Sequence, residues 1–364
     1  MRVFLLFQTA LSDSQSLETN GENKMKEQLE KLFNHNSLSF TETQDAFSEI
    51  FEGKVDPVVL GSFLTALKMN GYSADEIGGA ATAMIGAAEP FTTRDNSVDV
   101  GEIVGTGGDK LKTINISTIS GIICATLGLH VAKHGNTAVS SKTGASDVLT
   151  QLGYNVRTSK EDTRKALEDE GFAFFFAQVY HKGMRFAAPV RKALATSTIF
   201  NILGPLTNPA HVNYELLGCY DVNLLETLAK ALKLTGVQRG MVINGNGMDE
   251  ISIFGSTKVS ELLADGSIKN YELTNKDFGI TGNYTQNDLL GGTPEENAAT
   301  ARLILSGKGN DAHNAVISAN VSAMLHLAGK TESFKDGFEI AMDAVKSGRG
   351  IEKLDAISKI TSEA

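Results

Sequence analysis

Cysteine is nearly absent from this chain: Cys124 and Cys219, the two it has in 364 residues, stand far apart in apolar runs. Such a pair builds no disulfide scaffold and has no metal-type spacing. The two residues read as buried free thiols of a reducing compartment, which makes the expected location cytoplasmic. Proline is scarce as well, at 6 residues against 36 glycines, a balance that suits many helix–strand turns and argues against disorder. No stretch is long and apolar enough to span a membrane. Basic charge is in deficit, with 33 Lys and Arg against 43 Asp and Glu and a net charge of −10. That excludes broad nucleic-acid binding as the first expectation, although a local basic site or a metal still lets an acidic protein hold phosphate.

What is present fits a globular α/β protein of two domains, with 41% apolar and 21% charged residues. Residues 1–24 stand apart. The apolar run Met1–Phe7 is short for a signal sequence and no clear cleavage site follows it. The segment reads as a disordered extension or an upstream start, with a secretory signal as the alternative. From Met25 to about Pro90 the pattern is helical throughout. Thr41–Gln44 and Ser73–Glu76 read as capping boxes and Asp56-Pro57 as a helix start. Gly78, Gly79, Ala80, Ala81 and Ala83 predict close helix packing.

After a linker the rhythm changes. Strand-like runs at 98–104, 129–133, 172–177, 216–220 and 240–244 alternate with helices, and 261–273 reads as a hairpin. This predicts an α/β domain over 97–350 with a mostly parallel central sheet. Ligands of such sheets sit at the carboxyl ends of strands. Three chemistry-bearing segments fall at such ends.

The first is Val104–Asp109, VGTGGD, between a strand and the helix that starts at Asn115–Thr118. A glycine turn leading into a helix presents backbone N–H groups to a phosphate. It equally suits a tight turn with no ligand, and it is neither a Walker A loop nor a dinucleotide fingerprint. The second is Lys133-His-Gly-Asn136 with Ser140, Ser141 and Lys142. A cation, an amide and hydroxyls directly after a strand suit a phosphorylated sugar. His134 reads as a structural histidine ahead of an acid or base. The third is Asp249-Glu250, adjacent carboxylates that fit a hard cation such as Mg²⁺. Away from these, the segment His181–Pro209 carries Arg191, which could pair a carboxylate in bidentate fashion, with His181 shortly before it.

The motifs GTGGD (105–109), NIST (115–118), KHGN (133–136) with Ser140-Ser141, PVR (189–191), TIFNILGPLTNP (198–209) and DEIS (249–252) occur in this order. Together they closely resemble the anthranilate phosphoribosyltransferase family of tryptophan biosynthesis, over about residues 25–350. The resemblance implies a small helical domain (25–95, joined by a helical segment near 187–210), a larger α/β domain and a homodimer. It implies transfer of the phosphoribosyl group of phosphoribosyl pyrophosphate (PRPP) to the amine of anthranilate, with Mg²⁺. By the same resemblance Gly105, Gly108, Asp109, Thr113, Asn115, Ser117, Thr118, Lys133, Asn136, Ser140 and Ser141 would bind PRPP. Ser117, Asp249 and Glu250 would hold Mg²⁺, and Gly105, Asn136, His181 and Arg191 would contact anthranilate. No residue is expected as a general acid or base.

The sequence departs from the family pattern at Lys110, where glycine is more usual, at Ala145-Ser146, where Ser then Ala is common, and at Ser197, often arginine. None of these removes a metal ligand or Arg191. Two other readings remain: a pyrimidine nucleoside phosphorylase of the same fold, and a non-catalytic nucleic-acid-binding relative. PVR, GPLTNP and the Asp-Glu pair weigh against the first, and the acidic charge weighs against the second.

Overall fold

The computed structural model describes residues 24–94, 98–108, 111–137 and 143–362. The expected extension, up to residue 23, lies outside the described residues, as do the candidate ligands Asp109, Ser140 and Ser141 and the departure at Lys110. Helix α1 (24–33) is followed by α2 (Phe40–Glu52), α3 (Pro57–Asn70) and α4 (Ala74–Gly86). Their starts have local causes. Asp56 accepts the Val58 N–H at 2.7 Å and Pro57 occupies the first turn of α3. At α4 the Ser73–Glu76 box closes in both directions, at 3.1 and 2.8 Å. The box expected at Thr41–Gln44 forms instead between Ser39 and Glu42. Thr43 is buried there, and its hydroxyl donates back to the Ser39 carbonyl at 3.0 Å. The small-residue stripe does bring helices close: a Cβ on Gly79 would strike the Phe40 carbonyl of α2.

The chain then alternates through β1 (Val100–Gly105), α5 (Ile116–Thr126), β2 (His130–Gly135), α6 (Ala145–Gln151), α7 (Lys160–Glu170), β3 (Phe172–Phe176) and the short α8 (Ala177–Tyr180). Helices α9 (Met184–Leu194) and α10 (Phe200–Leu203) come next. After them follow β4 (Tyr214–Gly218), α11 (Leu225–Leu234), β5 (Arg239–Gly245), β6 (Thr257–Leu262) and β7 (Ile268–Leu273). The chain closes with α12 (Asn275–Phe278), α13 (Pro294–Leu305), α14 (Asp311–Leu327), α15 (Phe334–Lys346) and α16 (Arg349–Ser362).

Two compact units result. The helical unit runs to Ala88 and takes back His181–Leu203, while the α/β unit holds Glu89–Tyr180 and Gly204 onward. Aromatic packing seats the returning segment in the helical unit: the Phe200 ring lies 5.6 Å from Phe47 and 6.2 Å from Phe51, both edge-on.

The α/β unit is built on a seven-stranded sheet of order β3-β2-β1-β4-β5-β6-β7. Strands β3 to β5 in that order pair in parallel, and β6 and β7 add antiparallel. The mostly parallel sheet expected from the alternation is therefore present. The hairpin expected over 261–273 starts earlier, at Thr257. From β1 the chain winds outward through β2 to β3 and later returns to lay β4 on the other side of β1. The carboxyl ends of β1 and β4 therefore mark a topological switch point, where α/β sheets leave a crevice for ligands. Helix α5, buried along nearly its whole length, packs Ile116, Ile119, Ile122 and Ile123 into the core, and its Gly121 lets the Phe172 ring approach.

Candidate active site

Besides β2, which ends at Gly135, three strands of the α/β unit end in glycine: β1 at Gly105, β4 at Gly218 and β5 at Gly245. The Asp249-Glu250 turn lies across these ends, and each glycine leaves room for it. A Cβ on Gly105 would meet the Asp249 carboxylate, one on Gly218 the Asp249 carbonyl, and one on Gly245 the Glu250 carbonyl. Asn244 pins the same ends, its Nδ2 donating to the Cys219 carbonyl at 2.8 Å and its Oδ1 accepting from Gly247 N–H at 3.1 Å. The glycine loop after β1 is tied to β4 through Thr106 N–H, which donates to the Gly218 carbonyl at 2.8 Å.

The two carboxylates reach the predicted phosphate loop and helix start. Gly107 N–H donates to Asp249 Oδ2 at 2.7 Å, and Ser117 N–H, in the first turn of α5, donates to Glu250 Oε1 at 3.1 Å. Acceptors at a helix N-terminus and in a positive-φ glycine loop are favoured by the same partial charges that favour phosphate; Gly107 and Gly108 have φ of +67° and +86°. Lys133 comes up from β2, almost fully buried, and its Nζ donates to Ser117 Oγ at 3.0 Å and to the Ile103 carbonyl at 2.8 Å. Burial pulls its pKa below the ordinary lysine value, while Glu102, Glu250 and Asp249 oppose that shift. Gly105, Ser117, Lys133, Asp249 and Glu250 therefore belong to one connected network.

The remaining candidates of the α/β unit sit around it. Thr113 forms an isolated bridge with Leu290, and Asn115 Oδ1 accepts from Asn297 Nδ2 at 2.9 Å. Thr118 is buried, with no hydrogen-bond partner for its hydroxyl among the described residues. Asn136 is exposed just past β2, and its Oδ1 accepts Thr137 N–H at 2.8 Å and Gln178 Nε2 at 3.3 Å. His134 has a bracing contact, its Nδ1 lying 3.0 Å from the Gly204 carbonyl. The other two candidates lie in the helical unit. His181 is buried, and Arg191 is half-buried with its guanidinium carbon 5.2 Å from the centre of the Phe200 ring. Sequence reasoning missed the roles of Gly107, Gly218, Gly245 and Asn297. Glycine at the end of three apolar runs (VGTGG, LLGCY, INGNG) was the available signal for Gly218 and Gly245.

The donor set is oxygen-rich. Among the described residues no group of three or more His, Cys, Asp and Glu could cage a metal unaided. Two adjacent carboxylates and the Ser117 hydroxyl offer hard donors and leave most coordination positions to water and phosphate. That chemistry fits Mg²⁺ rather than a metal that prefers thiolate or imidazole.

A topological switch point with backbone N–H groups, a buried lysine and paired carboxylates defines an α/β enzyme equipped for a phosphorylated substrate and carrying a helical companion unit. The glycosyl transferase family, helical bundle domain, matches residues 26–88, and the glycosyl transferase family, a/b domain, matches residues 95–351. The chain is 46% identical to the anthranilate phosphoribosyltransferase of Tolumonas auensis over 92% of its length and 98% of the relative's. A crystal structure of the anthranilate phosphoribosyltransferase from Thermus thermophilus superposes with a TM-score of 0.86 at 36% identity, covering 92% of this chain and 99% of that one. The Saccharomyces cerevisiae anthranilate phosphoribosyltransferase in complex with PRPP and Mg gives a TM-score of 0.85 at 29% identity, over 94% and 99%. The chain belongs to the glycosyl transferase family that joins a helical bundle to an α/β domain, alongside the anthranilate phosphoribosyltransferases.

Proposed function

We propose that the chain transfers the 5-phosphoribosyl group of PRPP to the amine of anthranilate, releasing N-(5-phosphoribosyl)anthranilate and pyrophosphate, as a step of tryptophan biosynthesis. The observation that carries this reading is the Asp249-Glu250 turn, seated across three glycine-ended strands and bonded to the N–H groups of Gly107 and Ser117. The relatives' shared name supplies the substrates.

In this reaction the amine lone pair forms the bond to the ribose C1 as the C1–O bond to pyrophosphate breaks. The bonding electrons leave with pyrophosphate, and the nitrogen's surplus proton passes to solvent. The anthranilate amine is conjugated with its ring and neutral at pH 7, so no side chain is assigned as a base. The residues act by positioning and by stabilising charge on the leaving group. Backbone N–H groups of the loop after β1, the Lys133 ammonium and the Asn115–Thr118 helix start orient the donor's phosphates. Arg191, steadied over Phe200, suits the anthranilate carboxylate. Asp249, Glu250 and Ser117 would hold Mg²⁺, which when bound would supply positive charge against that of pyrophosphate.

We read the working form as a homodimer. On the helical unit Phe33, Val58 and Met69 are 55%, 77% and 77% exposed around an open groove that Leu32, Ala66 and Leu194 also line. A contiguous apolar face of this kind favours a partner, and a second copy is the occupant proposed. The two buried free thiols accord with a cytoplasmic setting.

The test follows anthranilate fluorescence with enzyme, PRPP and Mg²⁺ and with each left out in turn. Loss of fluorescence that needs all three is expected. Absence of turnover with all three present would reject the reading.

A further inference from the structure

The β1–β2 junction is unlike its neighbours. β1 pairs with β4 through five residues, up to Gly105 and Gly218, and β2 pairs with β3 through five, up to Gly135 and Phe176. Between β1 and β2 the ladder has two pairs, Val100 with His130 and Gly101 with Val131, and then stops. Continued in that register, His134 N–H would donate to the Ile103 carbonyl. Neither group is left wanting, because side chains take the place of the ladder. His134 N–H donates to Glu102 Oε1 at 2.9 Å. Asn208 Nδ2 bridges the gap, donating to Glu102 Oε2 at 2.7 Å and to the Ala132 carbonyl at 2.6 Å. Lys133 Nζ covers the Ile103 carbonyl at 2.8 Å.

Glu102, Asn208 and His134 are each at least 96% buried. A buried carboxylate with two donors, set beside a ladder that could have closed with backbone bonds alone, is a costly arrangement unless the separation itself is used. Asn208 is itself oriented, since its Oδ1 accepts Ala210 N–H at 2.9 Å, so its donor side faces the gap. It belongs to the GPLTNP segment, which the proposed chemistry otherwise leaves without a task.

We propose that Glu102 and Asn208 are positioning residues that replace the missing β1–β2 ladder and hold the carboxyl end of β2 away from β1, thereby setting Lys133 and Asn136 at the spacing the sugar donor requires. The inference rests on the proposed transferase activity and on Lys133 and Asn136 as donor contacts. Neither Glu102 nor Asn208 touches substrate in this scheme. In Glu102→Gln one carboxylate oxygen becomes an N–H donor, which faces either His134 N–H or Asn208 Nδ2. Asn208→Asp restores an acceptor opposite that new donor but leaves the Ala132 carbonyl facing an oxygen in place of a donor.

The experiment measures kcat and both KM values, with thermal midpoints, for Glu102→Gln, Asn208→Asp and the double variant in the full-length protein. The wild-type protein runs in the same assay, so failure of the transferase reading appears there and not in the variants. Each single variant is expected to raise the KM for PRPP at least tenfold while that for anthranilate stays within twofold, and the double variant, which regains the bond between residues 102 and 208 but not the one to the Ala132 carbonyl, to fall below Asn208→Asp in its PRPP KM. An unchanged PRPP KM in folded single variants, or equal rises for both substrates that track the thermal midpoint, overturns the proposal. Glu102→Asp, which keeps the charge and shortens the side chain by one methylene, decides by the same split if the other singles do not fold.

Discussion

A guanidinium selects a carboxylate by shape only when it is held still. Arg191 is half-buried and rests over the Phe200 ring; burial lowers its pKa from the ordinary arginine value, yet the group stays charged in proteins. Arg191→Ala should therefore raise the KM for anthranilate at least about tenfold, or about 1.4 kcal/mol, with little change for PRPP. Steady-state kinetics with each substrate varied in turn checks this, and an equal rise for both would assign Arg191 to the architecture. Glu215 makes a different prediction. It is buried opposite Glu102 in the β1–β4 register, and burial together with Glu102 raises its pKa well above the ordinary carboxylate value. The folded chain then holds a proton that the unfolded chain gives up above about pH 4.5, so stability falls as pH rises through that window, by up to about 1.4 kcal/mol per unit. Glu215→Gln removes its share of that dependence, while Glu102, pushed up to about 8 by burial, keeps its own. Thermal unfolding should show the variant gaining on the wild type between pH 5 and pH 8, and a constant difference across that range would contradict the assignment. Of these two residues only Arg191 was legible in the sequence, through its motif. Glu215 falls just before the strand expected at 216–220, and it stands out only once β4 begins at Tyr214 and the register places it beside Glu102.

At the scale of elements, the ends matter more than the middles. Gly218 closes β4 beneath the Asp249 carbonyl, and a methyl group there would overlap that carbonyl. Gly218→Ala should move the Asp249-Glu250 turn while leaving the sheet formed. A displacement near 1 Å at such a site is worth about a hundredfold in rate, so kcat/KM should fall by about that much and half-saturation by Mg²⁺ should rise, with the far-ultraviolet spectrum unchanged. Normal Mg²⁺ dependence in the variant would show that the turn does not serve the metal. Periodicity made the strands and most helices legible, because apolar spacing and caps such as Asp56 and Ser73 are local signals. The capping box was misplaced by two residues because Ser39 and Thr41 both offer a hydroxyl, and only the buried position of Thr43 distinguishes the frames. The truncated β1–β2 ladder was not legible at all, since strand pairing is set by residues such as Asn208, distant in sequence from both strands.

At the scale of the whole chain, the alternation of elements was enough for the fold class, and six ordered motifs were enough for the family. Which apolar residues stay uncovered is a property of the folded surface and had no sequence signal: Leu29, Leu32 and Phe33 all fit one helical pattern, yet Leu32 is 1% exposed and Phe33 55%. Phe33, Val58 and Met69 come from α1 and α3 of the helical unit, where exposed side chains of this size usually mean a partner. If a second copy covers them, a charge placed among them must be desolvated on association without a counter-charge, which costs several kcal/mol by order of magnitude. Met69→Glu should then shift the protein from dimer to monomer in light scattering at micromolar concentration. Because Met69 is 77% exposed, the substitution touches little within one copy, and its thermal midpoint measured at high dilution should stay close to that of the wild type. A variant that remains dimeric would move the interface off this face, and a wild-type protein that is monomeric throughout would remove the dimer from the proposed function.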